Sequence, residues 1–119
     1  MASILIVDDA AFMRLSIKQM IEPEGYEVVG EAGTGVEAVA QYQKLKPDLV
    51  LMDITMPDMN GIEAVKLIKG IDSNAKIIMC SAVGQQMQIA EAIKSGAENF
   101  IVKPFKKDIL CAAIAKALS

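Results

Sequence analysis

Hydrophobic and polar positions fall in blocks along this chain. Four short runs of β-branched or aliphatic residues each end on a reactive side chain: Ile4-Leu5-Ile6-Val7-Asp8-Asp9, Leu49-Val50-Leu51-Met52-Asp53, Ile77-Ile78-Met79-Cys80-Ser81 and Phe100-Ile101-Val102-Lys103. Near-continuous apolar runs of this length read as strands buried on both faces, the pattern of a parallel sheet. A weaker run, Glu27-Val28-Val29-Gly30, reads as a further strand, second in chain order.

Between the runs the period lengthens to that of a helix. Residues 10–24 place Met13, Ile17, Met20 and Ile21 on one face, with Pro23 and Gly25 ending the helix. Thr34-Gly35-Val36-Glu37 has the form of a capping box at a helix start, and Pro47 closes that helix. The turn-rich segment Thr55-Met56-Pro57-Asp58-Met59-Asn60-Gly61 leads into a third helix carrying Ile62, Val65 and Ile68. A fourth, from about Gln85 to Ser95, is expected to turn Ile89, Ala90 and Ile93 inward and to stop at Gly96. A fifth, from about Lys107, offers Leu110, Ala113, Ile114 and Ala117. Parallel strands need crossovers, and these helices have the length to supply them. The pattern predicts an α/β fold, a (βα)5 doubly wound five-stranded parallel sheet, as a single domain over residues 1–119 without linker, repeat or output domain.

Composition narrows the chemistry. At 53% hydrophobic, the 119 residues can fill one core without disulfides or a structural metal. The net charge of −3 and the lack of any long basic run give no field for nucleic acid. Lys106-Lys107, beside Asp108, reads as a solvated helix start. Cys80 and Cys111 form neither a disulfide framework nor a zinc spacing, and read as small core residues in a reducing compartment. No histidine is present, which excludes Ser-His and Cys-His nucleophilic catalysis. No apolar stretch is long enough to cross a bilayer, so the cytoplasm is the expected location and no membrane partner is expected.

Open α/β sheets place ligands at the carboxyl ends of their strands, which is where Asp8, Asp9, Asp53, Ser81 and Lys103 fall. The runs themselves leave the strand order open, and known sheets of the flavodoxin type supply the expectation 2-1-3-4-5. That order makes the first and third strands neighbours and turns all three acids into one cleft. Two ionised carboxylates about 4 Å apart repel by about 4 kcal/mol at an effective dielectric of about 20. A raised pKa, a cation or the Lys103 ammonium must offset that repulsion. Oxygen ligands of this charge suit Mg²⁺, which commonly binds one or two carboxylates together with phosphate. The Ser81 hydroxyl and the Lys103 ammonium are the donors that an acyl phosphate would need. Taken singly, Ser81 reads better as a strand-end capping hydroxyl and Lys103 as a snorkelling surface residue; it is the meeting of all five residues at strand carboxyl ends that favours a site.

Val7-Asp8-Asp9-Ala10-Ala11-Phe12-Met13-Arg14, Met52-Asp53-Ile54-Thr55-Met56-Pro57, Asn60-Gly61, Cys80-Ser81-Ala82 and Val102-Lys103-Pro104-Phe105 match one family in order and spacing. Over essentially the whole chain the sequence resembles the receiver domain of two-component response regulators, in its free-standing chemotaxis form. The resemblance implies that Asp53 is the phosphoacceptor, taking a phosphoryl group from a histidine kinase. It implies Mg²⁺ held by Asp9, Asp53 and the backbone carbonyl of Thr55, with Asp8 acting through water. Ser81 would be the switch hydroxyl, Lys103 the phosphoryl-binding cation and Phe100 the aromatic switch, and the Lys103-Pro104 bond would be cis. Phe100 reads equally as an ordinary core phenylalanine. As a Phe it lacks the phenolic hydroxyl of the many relatives that carry Tyr.

The same resemblance implies a monomer that catalyses only its own phosphoryl uptake and hydrolysis. Its output partner, a flagellar motor switch protein or another, would dock on the face of the fourth helix, fifth strand and fifth helix, and a phosphatase is a further candidate partner. The chain stops at Leu118-Ser119, directly after the fifth helix, which points to a free-standing protein. A single-domain phosphorelay intermediate and a receiver from a larger DNA-binding regulator remain open. An aspartyl-phosphate hydrolase of the haloacid dehalogenase type would want a second Asp where Thr55 stands, and a cap domain. A flavodoxin-like flavin carrier would find its phosphate repelled by Asp8 and Asp9.

Overall fold

A computed structural model describes residues 1–119. Strands β1 (Ser3–Val7), β2 (Glu27–Ala32), β3 (Leu49–Asp53), β4 (Ile77–Ser81) and β5 (Asn99–Val102) form one sheet in the order β2-β1-β3-β4-β5. Every neighbouring pair is parallel. Helices α1 (Ala11–Ile21), α2 (Gly35–Leu45), α3 (Gly61–Ile71), α4 (Gln86–Lys94) and α5 (Lys107–Leu118) alternate with the strands. This is the doubly wound sheet that the sequence pattern predicts, with its reversal of chain order between β1 and β3.

Side chains alternate across a strand, so each apolar run is divided between two cores. Leu5, Val7, Val50, Met52, Ile77 and Met79 pack on one side beneath α2, α3 and part of α4. Ile4, Ile6, Leu49, Leu51, Ile78 and Cys80 pack on the other against α1 and α5. Both faces are covered, which is why the central strands show no polar alternation. Polar chemistry is thereby confined to the strand ends.

Several boundaries differ from the sequence expectation. The α-helix over residues 10–24 ends at Ile21, and Glu22–Glu24 continue as a single 3₁₀ turn. Pro23 has no N–H to carry the ladder onward, and Gly25, at φ 95°, makes the left-handed exit. Strand β2 runs two residues further than expected, to Ala32, which pairs with Val7. In α2 the Thr34 hydroxyl accepts from the Glu37 N–H at 3.1 Å, forming one arm of the capping box.

Helix α4 needs a larger correction. Ala92 is fully buried and Ile89 partly so, whereas Ala90 and Ile93 face solvent. Apolar residues occur all round this short helix, so periodicity alone does not choose the buried stripe. The small Ala92 lets the helix lie close to the sheet, which turns Ile93 outward. No helix is long and apolar enough to cross a membrane.

The start of α3 is pressed against the end of β3. Asn60 caps the helix by accepting from the Glu63 N–H at 3.0 Å, and the Gly61 N–H donates to the Ile54 carbonyl at 2.6 Å. A Cβ on Gly61 would lie 3.0 Å from the Asp53 carbonyl carbon and from Ile54 Cα, and closer still to the Asp53 carbonyl oxygen. Gly61→Ala is therefore expected to destabilise the protein by about 1–3 kcal/mol in urea unfolding followed by circular dichroism. Gly70→Ala, in the same helix with nothing near its Cβ, is expected to raise stability by about 0.5–1 kcal/mol. Equal effects of the two changes would contradict this packing.

Candidate functional site

Adjacency of β1 and β3 brings the acidic residues together. Asp8 follows β1, held by its own N–H to the Ala32 carbonyl at 3.0 Å. Its carboxylate is oriented at both oxygens: Oδ1 accepts from the Ala10 N–H at 2.9 Å and Oδ2 from Lys103 Nζ at 2.8 Å. Asp53 is the last residue of β3, and Asp9 is exposed at the rim. Ligand oxygens of Asp8, Asp9 and Asp53 all lie within 4.8 Å of one another.

Lys103 stands just beyond β5, its N–H donating to the Ser81 carbonyl at 2.7 Å. From there its side chain reaches past β4, so that Nζ also lies 3.3 Å from Asp53 Oδ1. Asp8 and Asp53 are 2% and 7% exposed, so this one ammonium is shared by two buried carboxylates. Burial pushes the Asp53 carboxyl above its ordinary pKa, the charges of Asp8 and Asp9 push the same way, and Lys103 only partly opposes them. Burial works against the Lys103 ammonium too, but the hydrogen bond to Asp8 and the charges of Asp53 and Asp8 outweigh it and raise its pKa.

Ser81 ends β4, one step past Cys80, which pairs with Asp53. Its hydroxyl is wholly buried and donates to the Ile101 carbonyl at 3.4 Å, a long contact that holds it weakly toward β5. Thr55 is exposed on the loop two residues past Asp53. Phe100 is 40% exposed on β5 and, with Ala82, Val83, Ile89, Ala90 and Val102, lines an apolar groove of about 380 Å³. It is therefore not an ordinary core phenylalanine. The Lys103-Pro104 peptide is cis.

Three residues that sequence reasoning gave no role also shape the site. The Arg14 guanidinium donates to the Asp8 carbonyl and pairs with Glu31 at 2.9 Å, bracing the β1 end against β2. Asp58 reaches from the loop after β3 to the start of α2, accepting from the Gly35 and Val36 N–H groups at 2.9 and 3.0 Å. Those donors, Val36 first, hold its carboxyl below the ordinary range even though it is exposed. Gln85 spans two loops at the cleft mouth: its amide oxygen accepts from the Ala82 N–H at 2.7 Å and its amide nitrogen donates to the Thr55 hydroxyl at 3.0 Å. Nothing in the chain pattern marks these three, because each has a partner on an element that only the fold brings near: Glu31, the start of α2 and Thr55.

The geometry offers a candidate cation site beside a buried carboxyl. Three carboxylates could share a divalent ion, and Lys103 is the donor that reaches Asp53, whose carboxyl burial holds above its ordinary pKa. Stability should follow the charge on Asp53. Its pKa is higher in the folded state than in the unfolded one, so stability is lost as pH rises through the folded value. In metal-free buffer at pH 7, Asp53→Asn is expected to be more stable to urea than the parent, and the gap should close below the ordinary carboxylate pKa. A gap that persists in acid, or has the opposite sign, would contradict this electrostatic account. Lys103→Ala should cost about 3 kcal/mol at pH 7, because it strands two buried carboxylates.

Known proteins share this arrangement. A family model described as the response regulator receiver domain matches residues 4–115. The chain is 61% identical over 113 residues to the chemotaxis protein CheY of Thermotoga maritima, covering 95% of this chain and 94% of that one. It is 58% identical over 116 residues to CheY of Bacillus subtilis, covering 98% and 97%. The solved complex of CheX and CheY with BeF3 and Mg²⁺ from Borrelia burgdorferi superposes with a TM-score of 0.95 at 34% identity, covering 99% of this chain and 90% of that one. With a family model over nearly its whole length and relatives of the same length at this identity, the chain belongs to the response regulator receiver domain family.

Proposed function

We propose that this chain is a chemotaxis response regulator of the CheY type, switched by a phosphoryl group that Asp53 accepts from a histidine kinase. The observation that carries this reading is the Asp53 carboxylate itself, packed within 4.8 Å of two further acids and 3.3 Å from the Lys103 ammonium. In the transfer, an Asp53 oxygen bonds to phosphorus as the bond from phosphorus to the donor imidazole breaks. That imidazole must come from the partner, since this chain has no histidine. Asp9, Asp53 and the Thr55 carbonyl would hold Mg²⁺, with Asp8 acting through water. When bound, the ion supplies positive charge against the carboxylates and the incoming phosphoryl oxygens.

This chain's own donors then respond. Lys103 can swing its ammonium from Asp8 and Asp53 to the new oxygens, and the weakly held Ser81 hydroxyl can leave the Ile101 carbonyl. Moving an equilibrium from 1:99 to 99:1 takes about 5.5 kcal/mol. Two hydrogen bonds to a charged group, each worth about 1.5–3 kcal/mol, approach that value without a large rearrangement. Rotation of Phe100 into the groove between α4 and β5 would carry the change to an output face that also exposes Val83, Met87, Ile93 and Val102.

A flagellar motor switch protein is the proposed occupant of the α4–β5–α5 face. The Borrelia complex joins CheY to CheX with BeF3 and Mg²⁺, which supports a second protein partner, and a phosphatase is the proposed one. The protein would act as a cytoplasmic monomer whose only chemistry is on itself. Its two free cysteines fit a reducing compartment.

Incubation with acetyl phosphate and Mg²⁺ should add one phosphoryl mass to the intact protein and none to Asp53→Asn. Equal labelling of both would overturn the assignment. Asp9→Ala should weaken Mg²⁺ binding by about tenfold or more in calorimetry. Relaxation-dispersion NMR should report exchange at Ser81, Phe100 and the α4–β5–α5 face that changes on phosphorylation, and a silent face would remove the output mechanism.

A further inference from the structure

The Gln85 side chain makes two hydrogen bonds that neither the fold nor the acceptor chemistry requires. Gln85 is the residue immediately before α4, yet its side chain does not cap that helix. The amide turns back to the cleft mouth, taking the Ala82 N–H at 2.7 Å and giving a hydrogen bond to the Thr55 hydroxyl at 3.0 Å. A backbone N–H can only donate, so the amide oxygen must face Ala82 and the nitrogen must face Thr55. Few side chains can accept and donate in this way from one planar group.

The two ends of this bridge flank the acceptor. Thr55 lies two residues past Asp53, and Ala82 directly follows Ser81 at the carboxyl end of β4. Residues 82–84 are all exposed, with Val83 at 81% and Gly84 at φ 93°, so little packing holds this loop. The amide bridge is its tie to the loop after β3. Ala82 and Gln85 also line the apolar groove beside Phe100, so the same residues border both cleft and groove.

We propose that Gln85 is a positioning residue that latches the β4–α4 loop to the β3–α3 loop and keeps the Ala82 N–H from a phosphoryl group on Asp53. The inference rests on the reading of Asp53 as phosphoacceptor. A phosphoryl group there needs donors, and Ala82 N–H is the backbone donor that follows Ser81. Offering it means giving up the contact to Gln85. The latch therefore biases the resting state and sets how readily a phosphoryl group draws the loop inward.

The test uses beryllofluoride with Mg²⁺ as a stable phosphoryl probe, titrated into wild type, Gln85→Met, Thr55→Val and the double variant, with backbone amides followed by NMR. Gln85→Met, which keeps the side-chain length and removes the amide, should bind about fivefold more tightly, the worth of one neutral hydrogen bond. Thr55→Val should give part of that gain, and the double variant should bind no more tightly than Gln85→Met, because both changes cut one bridge. In the free wild-type protein the Ala82 amide should be protected from hydrogen exchange, and Gln85→Met should remove that protection. Unchanged or weaker binding by Gln85→Met, additive effects, or an unprotected Ala82 amide in the wild type would overturn the latch. If the wild type takes up no beryllofluoride, the acceptor reading itself fails and the latch with it.

Discussion

Charge at the sheet edge is the constraint on which the rest depends. Asp8 and Asp53 are almost completely buried and share a 4.8 Å cluster with Asp9. In a medium less polar than water such a cluster is tolerated only with compensation. Lys103 supplies it within the chain, at 2.8 and 3.3 Å from the two buried carboxylates. That contact needs the order β2-β1-β3-β4-β5, because Lys103 comes from β5 and must reach past β4. One ammonium against three acids is still too little to lower the Asp53 pKa, which burial keeps raised. The residual imbalance leaves negative charge at the cleft that a divalent cation could offset.

Around this centre the loops are held mainly through their backbones. Asp58 ties the loop after β3 to the start of α2, Gly61 lets α3 begin against the Asp53 carbonyl, and Arg14 braces the carbonyl of Asp8. None of these contacts uses a carboxylate oxygen of Asp9 or Asp53, so the acidic groups are positioned without being consumed. The loosely tied parts are different: the Ser81 hydroxyl at 3.4 Å, the half-exposed Phe100 and the exposed loop at 82–84. A rigid frame bearing a few weakly held groups is a form suited to switching, since small energies can then move it.

The fold was legible because its three central strands, β1, β3 and β4, are buried on both faces. The runs at Ile4–Val7, Leu49–Met52 and Ile77–Cys80 contain nothing polar to confuse them with amphipathic helices, and they mark their own ends with Asp8, Asp53 and Ser81. Boundaries governed by a single residue were harder to read. Pro23 cut the last turn of α1 to 3₁₀ form, and the inward face of α4 was misjudged because Ala90, Ala92 and Ile93 are all apolar. Arg14, Asp58 and Gln85 were not legible as site residues, since each makes a bond to a strand or loop that only the fold brings near: Arg14 to Glu31, Asp58 to Gly35 and Gln85 to Thr55.

The sequence by itself determined which residues could meet: apolar periodicity dictates parallel strands, and parallel strands deliver their terminal side chains to one edge. It also determined the chemical repertoire, oxygen ligands and an ammonium without histidine. Only the tertiary structure decided how those groups are balanced. Burial, the 2.8 Å contact that orients Asp8, the sharing of Lys103 between two carboxylates and the amide bridge at Gln85 arise from distances between strands and loops. Residue type limits what a side chain can do, whereas its pKa and its partners depend on how much water the fold removes and which charges it leaves nearby.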